Sequence, residues 1–220
     1  EHGLERFGRW YGAYPYPTLT MVDPPWSARQ AGGMEYPTFI TTGTRVLSPL
    51  ATGSPEGVTI HELGHQWFYG LLASDEFHES FLDEGINTYA TARVQREAYG
   101  DRSWHFRVFE VPVVFQSVRQ EYPLDTSARY FVDPTTDPIT RVSWGYLDGG
   151  AYGRLTYSKM SLAMEQIERT VGSPAMERAM RAFGDRYRFG RPRTWDLAAT
   201  LGRETGVDLG KLAEASRVAS

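Results

Sequence analysis

The segment His61-Glu62-Leu63-Gly64-His65 constrains this 220-residue chain more than any other feature. Residues four positions apart lie on one face of a helix, so the imidazoles of His61 and His65 can reach the same cation. Imidazole nitrogen is a preferred zinc ligand, and catalytic zinc usually takes three protein ligands. Glu62 would lie beside the metal, where a base for an attacking water is needed. The segment therefore predicts a helix that carries a zinc site.

The third ligand should be a carboxylate or another histidine. No histidine stands shortly after the pentad, since the next is His78, but a glutamate on a following helix is the other known arrangement. Glu84 fits it, with eighteen residues between it and His65. That length suffices for a turn and a second helix to return Glu84 to the metal. Either feature has an ordinary explanation by itself, because the pentad can occur on any surface helix and an acid is favoured near a helix N-terminus. Their combination predicts one zinc ion held by His61, His65 and Glu84.

Hydrophobic spacing and turn residues predict an α+β fold with a small N-terminal sheet and a mainly helical lobe. The predicted helices span 4–11, 55–72, 81–99, 152–171, 174–187 and 195–205, with a short one from 209. The predicted strands span 19–22 and 34–42, and loops span 27–33 and 74–80. Residues 103–120 are expected to be partly helical and 122–150 irregular. We divide the chain into a β-rich part (1–54), zinc-binding helices (55–100) and a helical part (101–220).

Composition excludes several classes of function. The formal net charge is −4 and the chain has no cysteine, so neither a basic nucleic-acid footprint nor a thiolate site is expected. No apolar stretch approaches the ~18 residues of a membrane helix. The sequence begins at Glu1 without a methionine, which is compatible with a processed form or an excised part. The compartment stays open, with an extracytoplasmic one slightly favoured.

Several motifs together resemble the aminopeptidase N family of gluzincin metallopeptidases. The pentad continues as Gln66-Trp67-Phe68, as in that family, and Glu84 is followed by glycine at the family's spacing. The segment Gly32-Gly33-Met34-Glu35-Tyr36-Pro37 is similar to the family's exopeptidase motif, G-A-M-E-N. Tyr157-Ser158-Lys159 resembles its Y-x-K segment, and Tyr152 matches a tyrosine of some members.

The resemblance implies a thermolysin-like catalytic domain that hydrolyses the N-terminal peptide bond of peptides. It implies that Glu62 activates a zinc-bound water and that the Tyr157 hydroxyl stabilises the oxyanion. Glu35 would bind the free α-ammonium group of the substrate. Gly32, Gly33, Met34 and Tyr152 would contact the substrate, the glycines by letting another backbone approach closely.

The sequence departs from the family pattern in ways that leave alternatives open. Gly33 and Tyr36 replace the alanine and asparagine of the exopeptidase motif, and Asp83 stands where asparagine is frequent. The large β-rich and helical domains that normally flank this region are not in the sequence, although they are expected in a longer parent protein. A thermolysin-like endopeptidase, a weakly active excised domain and an interaction scaffold are therefore alternatives to an aminopeptidase.

Overall fold

The computed structural model describes residues 1–43, 55–99, 107–108, 111–112, 129–134 and 137–208. Helices dominate these residues: α1 (His2–Tyr11), α2 (Pro55–Gly64), α3 (Glu76–Tyr99), α4 (Gly149–Tyr152), α5 (Met160–Val171), α6 (Ser173–Tyr187) and α7 (Thr194–Thr205). Short 3₁₀ helices span Trp26–Ala31 and Ser143–Gly145, and a π-helical segment spans Gly153–Lys159. The strands are β1 (Thr20–Val22), β2 (Phe39–Thr41), β3 (Arg107–Val108) and β4 (Val111–Pro112).

The N-terminal sheet is small. β1 and β2 pair in parallel with Thr20 opposite Phe39, and β3 pairs with β4 antiparallel. The single strand predicted over 34–42 is wrong, because the chain reverses within it: Met34 forms an antiparallel bridge with Thr41. The reversal passes through Thr38, whose φ of 62° lies in the left-handed region. The loop predicted over 27–33 is largely a 3₁₀ helix instead.

The helices that carry the predicted ligands are α2 and α3. α2 ends at Gly64, so the prediction of a helix to residue 72 is wrong. Turns follow α2, with Tyr69 at a φ of 117°, and the chain then pairs over a long range: Leu71 O accepts a hydrogen bond from Phe189 N and Ala73 N donates to Gly190 O. α3 begins at Glu76, inside the predicted loop, and is kinked at Glu79, where φ is −138°.

The two helices approach closely because glycine lies at their contact. A Cβ on Gly64 would lie 1.9 Å from Asn87 Oδ1, and one on Gly85 would lie 2.3 Å from Met160 Cβ. Any larger residue would therefore separate α3 from α2 or α5. Gly64 therefore lets α3 approach the end of α2, and Gly85 lets α3 approach α5.

The hydrophobic core lies between α1, the end of α2, α3 and the C-terminal helices. Its largest fully buried side chains include Trp10, Trp67, Phe68, Met176 and Leu201. α6 and α7 match the predicted helices to within one residue at each end. The predicted helix from 209 and most of the segment 103–120 lie outside the described residues.

Candidate metal centre and substrate cleft

His61, His65 and Glu84 converge between α2 and α3. Nε2 of His61 lies 3.1 Å from Nε2 of His65 and 3.1 Å from Oε2 of Glu84. Nε2 of His65 lies 3.2 Å from the same carboxylate oxygen. The three atoms form a nearly equilateral triangle, although the residues come from two helices and the turn after α2.

This triangle fits zinc. Ligands of tetrahedral zinc at ~2.0–2.1 Å are about 3.3–3.4 Å apart, close to the spacings of the three donor atoms here. The trio also has the two nitrogens and one oxygen of a common catalytic donor set. Burial alone would raise the pKa of Glu84, but hydrogen bonds from His61 and His65 outweigh it and hold the pKa far below its usual range. The carboxylate is therefore ionised, as a ligand must be.

A buried carboxylate orients His65. Its Nδ1 lies 2.7 Å from Asp83 Oδ1 and 3.0 Å from the Phe68 carbonyl oxygen. The carbonyl oxygen can only accept from a ring N–H, so Nδ1 carries a proton, and its two contacts fix the direction in which Nε2 faces the other two donor atoms. Burial would lower the pKa of His65, but the charge of Asp83 and its hydrogen bond raise it well above the usual value.

Sequence reasoning treated Asp83 only as a departure from a family pattern and did not find Asn87. Asn87 Nδ2 donates to the His61 carbonyl oxygen at 2.7 Å, which ties α3 to the helix that carries the pentad. Asp83 and Asn87 are four residues apart and so share one face of α3, next to Glu84. The sequence signal for these two residues is their four-residue spacing next to Glu84. For Asp83, a second signal is that a metal-bound histidine needs a hydrogen-bond partner for its other ring nitrogen.

Glu62 is buried, with 5% of its surface exposed. Burial raises its pKa to about 7, and the negative charges of Glu35 and Glu84 add to the shift while His65 opposes it. Its Oε1 lies 3.6 Å from the position that a Cβ on Gly33 would occupy. Glu62 therefore lies between the predicted ligands and the segment that carries Glu35.

Tyr157 lies within the π-helical segment and contacts two of the predicted ligands. Its hydroxyl donates to Glu84 Oε1 at 2.5 Å, and its ring stacks on His61 with centroids 6.0 Å apart. Burial and the charge of Glu84 raise the pKa of Tyr157 far above its usual value, so the phenol keeps its proton. Single π turns are frequent at functional sites. The uninterrupted α-helix predicted over 152–171 missed this turn.

Tyr152 packs against Tyr157, with ring centroids 6.2 Å apart. Burial raises its pKa to about 12, with a further contribution from the charge of Glu84. Tyr152 therefore also remains a neutral hydroxyl group near the ligand carboxylate.

The glycines before Glu35 have a structural task in this fold. Gly32 N donates to Arg29 O at 3.3 Å, and Gly33 N donates to Thr41 O at 3.0 Å. A Cβ on Gly32 would lie 2.6 Å from Thr42 O, so the chain's own backbone accounts for that glycine. Met34 is joined to Thr41 in the same bridge. The Met34 carbonyl oxygen also accepts from Thr41 N at 2.9 Å, so both polar backbone groups of Met34 are engaged within the chain.

Glu35 belongs to a second acidic group that the sequence did not reveal. Carboxylate oxygens of Glu35, Glu76 and Asp83 lie within 4.8 Å of one another. Burial raises the pKa of Glu35, opposed by His65 and assisted by the charges of Glu84 and Glu76. Tyr69, with a φ of 117°, borders the group. Three carboxylates this close favour a cation among them.

The sequence profile of the peptidase family M1 domain matches residues 4–215, which is nearly the whole chain. The chain belongs to peptidase family M1. Relatives of this M1 chain include Aminopeptidase N of Streptomyces lividans, 29% identical over 153 residues, and Aminopeptidase 2 of Candida albicans, 24% identical over 221 residues. The first alignment covers 68% of this chain and 17% of the relative, and the second covers 95% and 22%.

Solved structures share the fold of this M1 chain. The M1 zinc metallopeptidase of Deinococcus radiodurans superposes with a TM-score of 0.68 at 22% identity, over 98% of this chain and 41% of that one. A mutant of the same enzyme bound to a Tyr-Ser-Ala substrate superposes with the same TM-score, at 20% identity. The expected α+β metallopeptidase catalytic fold, with its small sheet and helical lobe, is confirmed. The M1 chain therefore spans less than half the length of each of these relatives.

A membrane-spanning segment would need a long apolar helix. None of the helices in the described parts of the chain is both long enough and apolar enough to span a membrane.

Proposed function

We propose that this chain is the catalytic domain of a zinc-dependent aminopeptidase, with one zinc ion held by His61, His65 and Glu84. The observation that carries the proposal is the triangle of donor atoms, whose sides of 3.1–3.2 Å match the spacing of tetrahedral zinc ligands. The matched relatives named as aminopeptidases support the choice of reaction. Their greater length supports a parent protein with flanking domains.

Bound zinc would supply Lewis acidity, lowering the pKa of a water ligand and polarising the substrate carbonyl. Glu62 accepts the proton of the attacking water and passes it to the leaving amine. Its raised pKa, about 7, suits a group that must take and return a proton near neutral pH. The protonated hydroxyl of Tyr157 donates to the oxyanion that develops on the substrate.

Glu35 would set where the peptide is cut. Its carboxylate lies beside those of Glu76 and Asp83, so acidic groups are concentrated around it. The free α-ammonium group of a peptide is the cation that fits an aminopeptidase, and a carboxylate held near the predicted ligands would place the first peptide bond over them. Tyr152 and the backbone of Gly32, Gly33 and Met34 would line the path of the substrate.

The test compares a peptide that has a free N-terminus with its N-acetyl form, using zinc-loaded protein, chelator-treated protein and protein with zinc restored. We expect hydrolysis of the free peptide, its loss with the chelator and its return with zinc. Glu35→Ala should lower kcat/KM for the free peptide by about 10²-fold, the order of a lost charge-assisted contact, and affect the acetylated peptide far less.

Other outcomes would select a different function. Equal effects of Glu35→Ala on both peptides would indicate a thermolysin-like endopeptidase. Absence of bound zinc after metal loading, measured by elemental analysis, would indicate an interaction scaffold and would end the proposal.

A further inference from the structure

Gln66 joins the metal-binding helix to the turn that carries Glu35. We call residues 35–38 the Glu35 turn. The side-chain oxygen of Gln66 accepts from Thr38 N at 2.7 Å, and its amide nitrogen donates to Tyr36 O at 3.2 Å and Glu35 O at 3.5 Å. Only 1% of Gln66 is exposed, so water does not compete for these bonds. One carboxamide therefore satisfies donors and acceptors at both ends of the turn.

The Glu35 turn needs such support. Thr38 has a φ of 62°, a region that is unfavourable for a β-branched residue. Backbone in sparsely populated regions persists only where the surroundings determine it, and it is concentrated at functional sites. The local bond from Phe39 N to Tyr36 O closes the turn but does not fix its place relative to the metal ligands. Gln66 does, because it follows His65 directly in the chain.

We propose that Gln66 is a positioning residue that sets the distance between the ammonium-binding carboxylate and the metal, and so makes the enzyme cut after one residue. The inference rests on the proposed function, because it requires Glu35 to bind the substrate amine. Gln66 itself touches neither substrate nor metal in this role. It acts through the backbone of the Glu35 turn.

Binding to a catalytically silent protein tests this directly. Zinc-loaded protein carrying Glu62→Gln is titrated calorimetrically with alanine tripeptide and with N-acetyl alanine tripeptide. Adding Gln66→Met keeps the side-chain length but removes the polar contacts. It should lower the affinity for the free peptide by about tenfold relative to the affinity for the acetylated peptide. Gln66→Glu keeps the acceptor for Thr38 N and should have an intermediate effect. Zinc content should stay unchanged in both.

Trp67→Phe is the matched control. Trp67 is the next residue, is also fully buried, and its Nε1 donates to the backbone of another segment, at Gly12 O, 2.6 Å away. Loss of that bond should leave the ratio of the two affinities unchanged. Adding Glu35→Ala gives a double-mutant cycle. In this background Gln66→Met should no longer change the ratio of the two affinities, because the carboxylate that Gln66 positions is absent.

The outcomes separate the positioning role of Gln66 from the aminopeptidase proposal. If Glu35→Ala alone changes the ratio but Gln66→Met does not, or if Gln66→Met acts equally with and without Glu35, this inference is overturned and the aminopeptidase proposal stands. Equal weakening of both peptides with loss of zinc would also overturn it, since Gln66 would then only support the fold. If Glu35→Ala leaves the ratio unchanged, both proposals fall.

Discussion

The two halves of α3 each carry a buried polar cluster, but the clusters differ in where their positive charge comes from. In the Arg93 network (Trp10, Tyr89, Arg93, Glu168 and Glu177), the cation belongs to the chain. Arg93 lies 2.7 Å from Glu177 and 3.3 Å from Glu168, and its guanidinium covers the Trp10 ring at 4.2 Å. Tyr89 completes the network by donating to Glu168 at 2.7 Å.

In the metal cluster (His61, His65, Asp83 and Glu84), no arginine or lysine among the described residues forms an ion pair with the carboxylates. The donors instead converge on one point from α2 and α3. A buried carboxylate is stable only with a positive partner or a shared proton. The comparison teaches that the source of positive charge distinguishes the two: the Arg93 network contains its own arginine and should serve stability, whereas we propose that the metal cluster takes up a cation from outside.

The largest expected effect is the loss of catalytic activity, with the fold retained, when Glu62 beside the metal cluster is replaced. Glu62→Gln is nearly isosteric and removes only the group that accepts a proton. We expect kcat to fall by about 10²–10⁴-fold while bound zinc and the melting temperature are unchanged. Steady-state kinetics with elemental analysis checks this. A variant that hydrolyses peptide at the normal rate would mean that Glu62 is not the base.

Tyr157→Phe tests whether the hydroxyl donates to Glu84 or to the substrate oxyanion during the reaction. In the structure its single proton is donated to Glu84, and that proton cannot be donated to a substrate oxyanion at the same time. If it turns to the oxyanion during the reaction, kcat should fall by about 10²–10³-fold with zinc affinity nearly unchanged. If it serves only Glu84, zinc affinity should fall while fully loaded enzyme keeps its kcat. Turnover at saturating zinc separates these cases.

The Arg93 network should respond in the opposite way. Arg93→Met leaves the buried Glu168 without its charge partner, so the free energy of unfolding should fall by about 3–5 kcal/mol, measured by urea denaturation. Zinc affinity of the folded protein should not change. Arg169→Met is the control, because Arg169 pairs with Glu165 on the exposed side of α5 and should cost no more than about 0.5 kcal/mol. Loss of zinc binding in Arg93→Met would show that the two clusters are not independent.

The parts of the metal cluster that could be predicted are those encoded by local spacing. The four-residue separation of His61 and His65 and the spacing of Glu84 from them were enough to predict that these three side chains lie together. The helical periods of α6 and α7 were likewise local. Each of these features depends on the spacing of residues close together in the sequence.

The parts that could not be predicted depend on partners far away in the sequence. The last residues of the predicted helix 55–72 are not helical, and residues 71–73 pair with residues 189–190 instead. The turn inside the predicted strand 34–42 is held by Gln66, and a threonine with positive φ has no signature in a strand-like sequence. The same is true of Glu76, which reaches Glu35 only because α3 starts before its kink. The π turn at Tyr157 also looks like ordinary helix in the sequence.

The smallest expected effect tests how much of the metal cluster's affinity depends on Asp83. Asp83→Asn keeps an oxygen that can accept from His65 Nδ1 but removes the negative charge, so zinc affinity should fall by about tenfold, the lower end for such partners of metal-bound histidine. Asp83→Ala also removes the acceptor and should approach about a hundredfold. Competition with a chelating dye measures both.

Asp75→Asn provides a matched control, because Asp75 also accepts from a histidine Nδ1, that of His78, at 2.9 Å, but in an exposed pair. Zinc affinity should be unchanged there, since solvent screens the pair and His78 is not among the ligands. If Asp83→Asn also left zinc affinity unchanged, Asp83 would only pack against His65. The metal cluster would then lack the oriented histidine that distinguishes it from an ordinary buried polar cluster such as the Arg93 network.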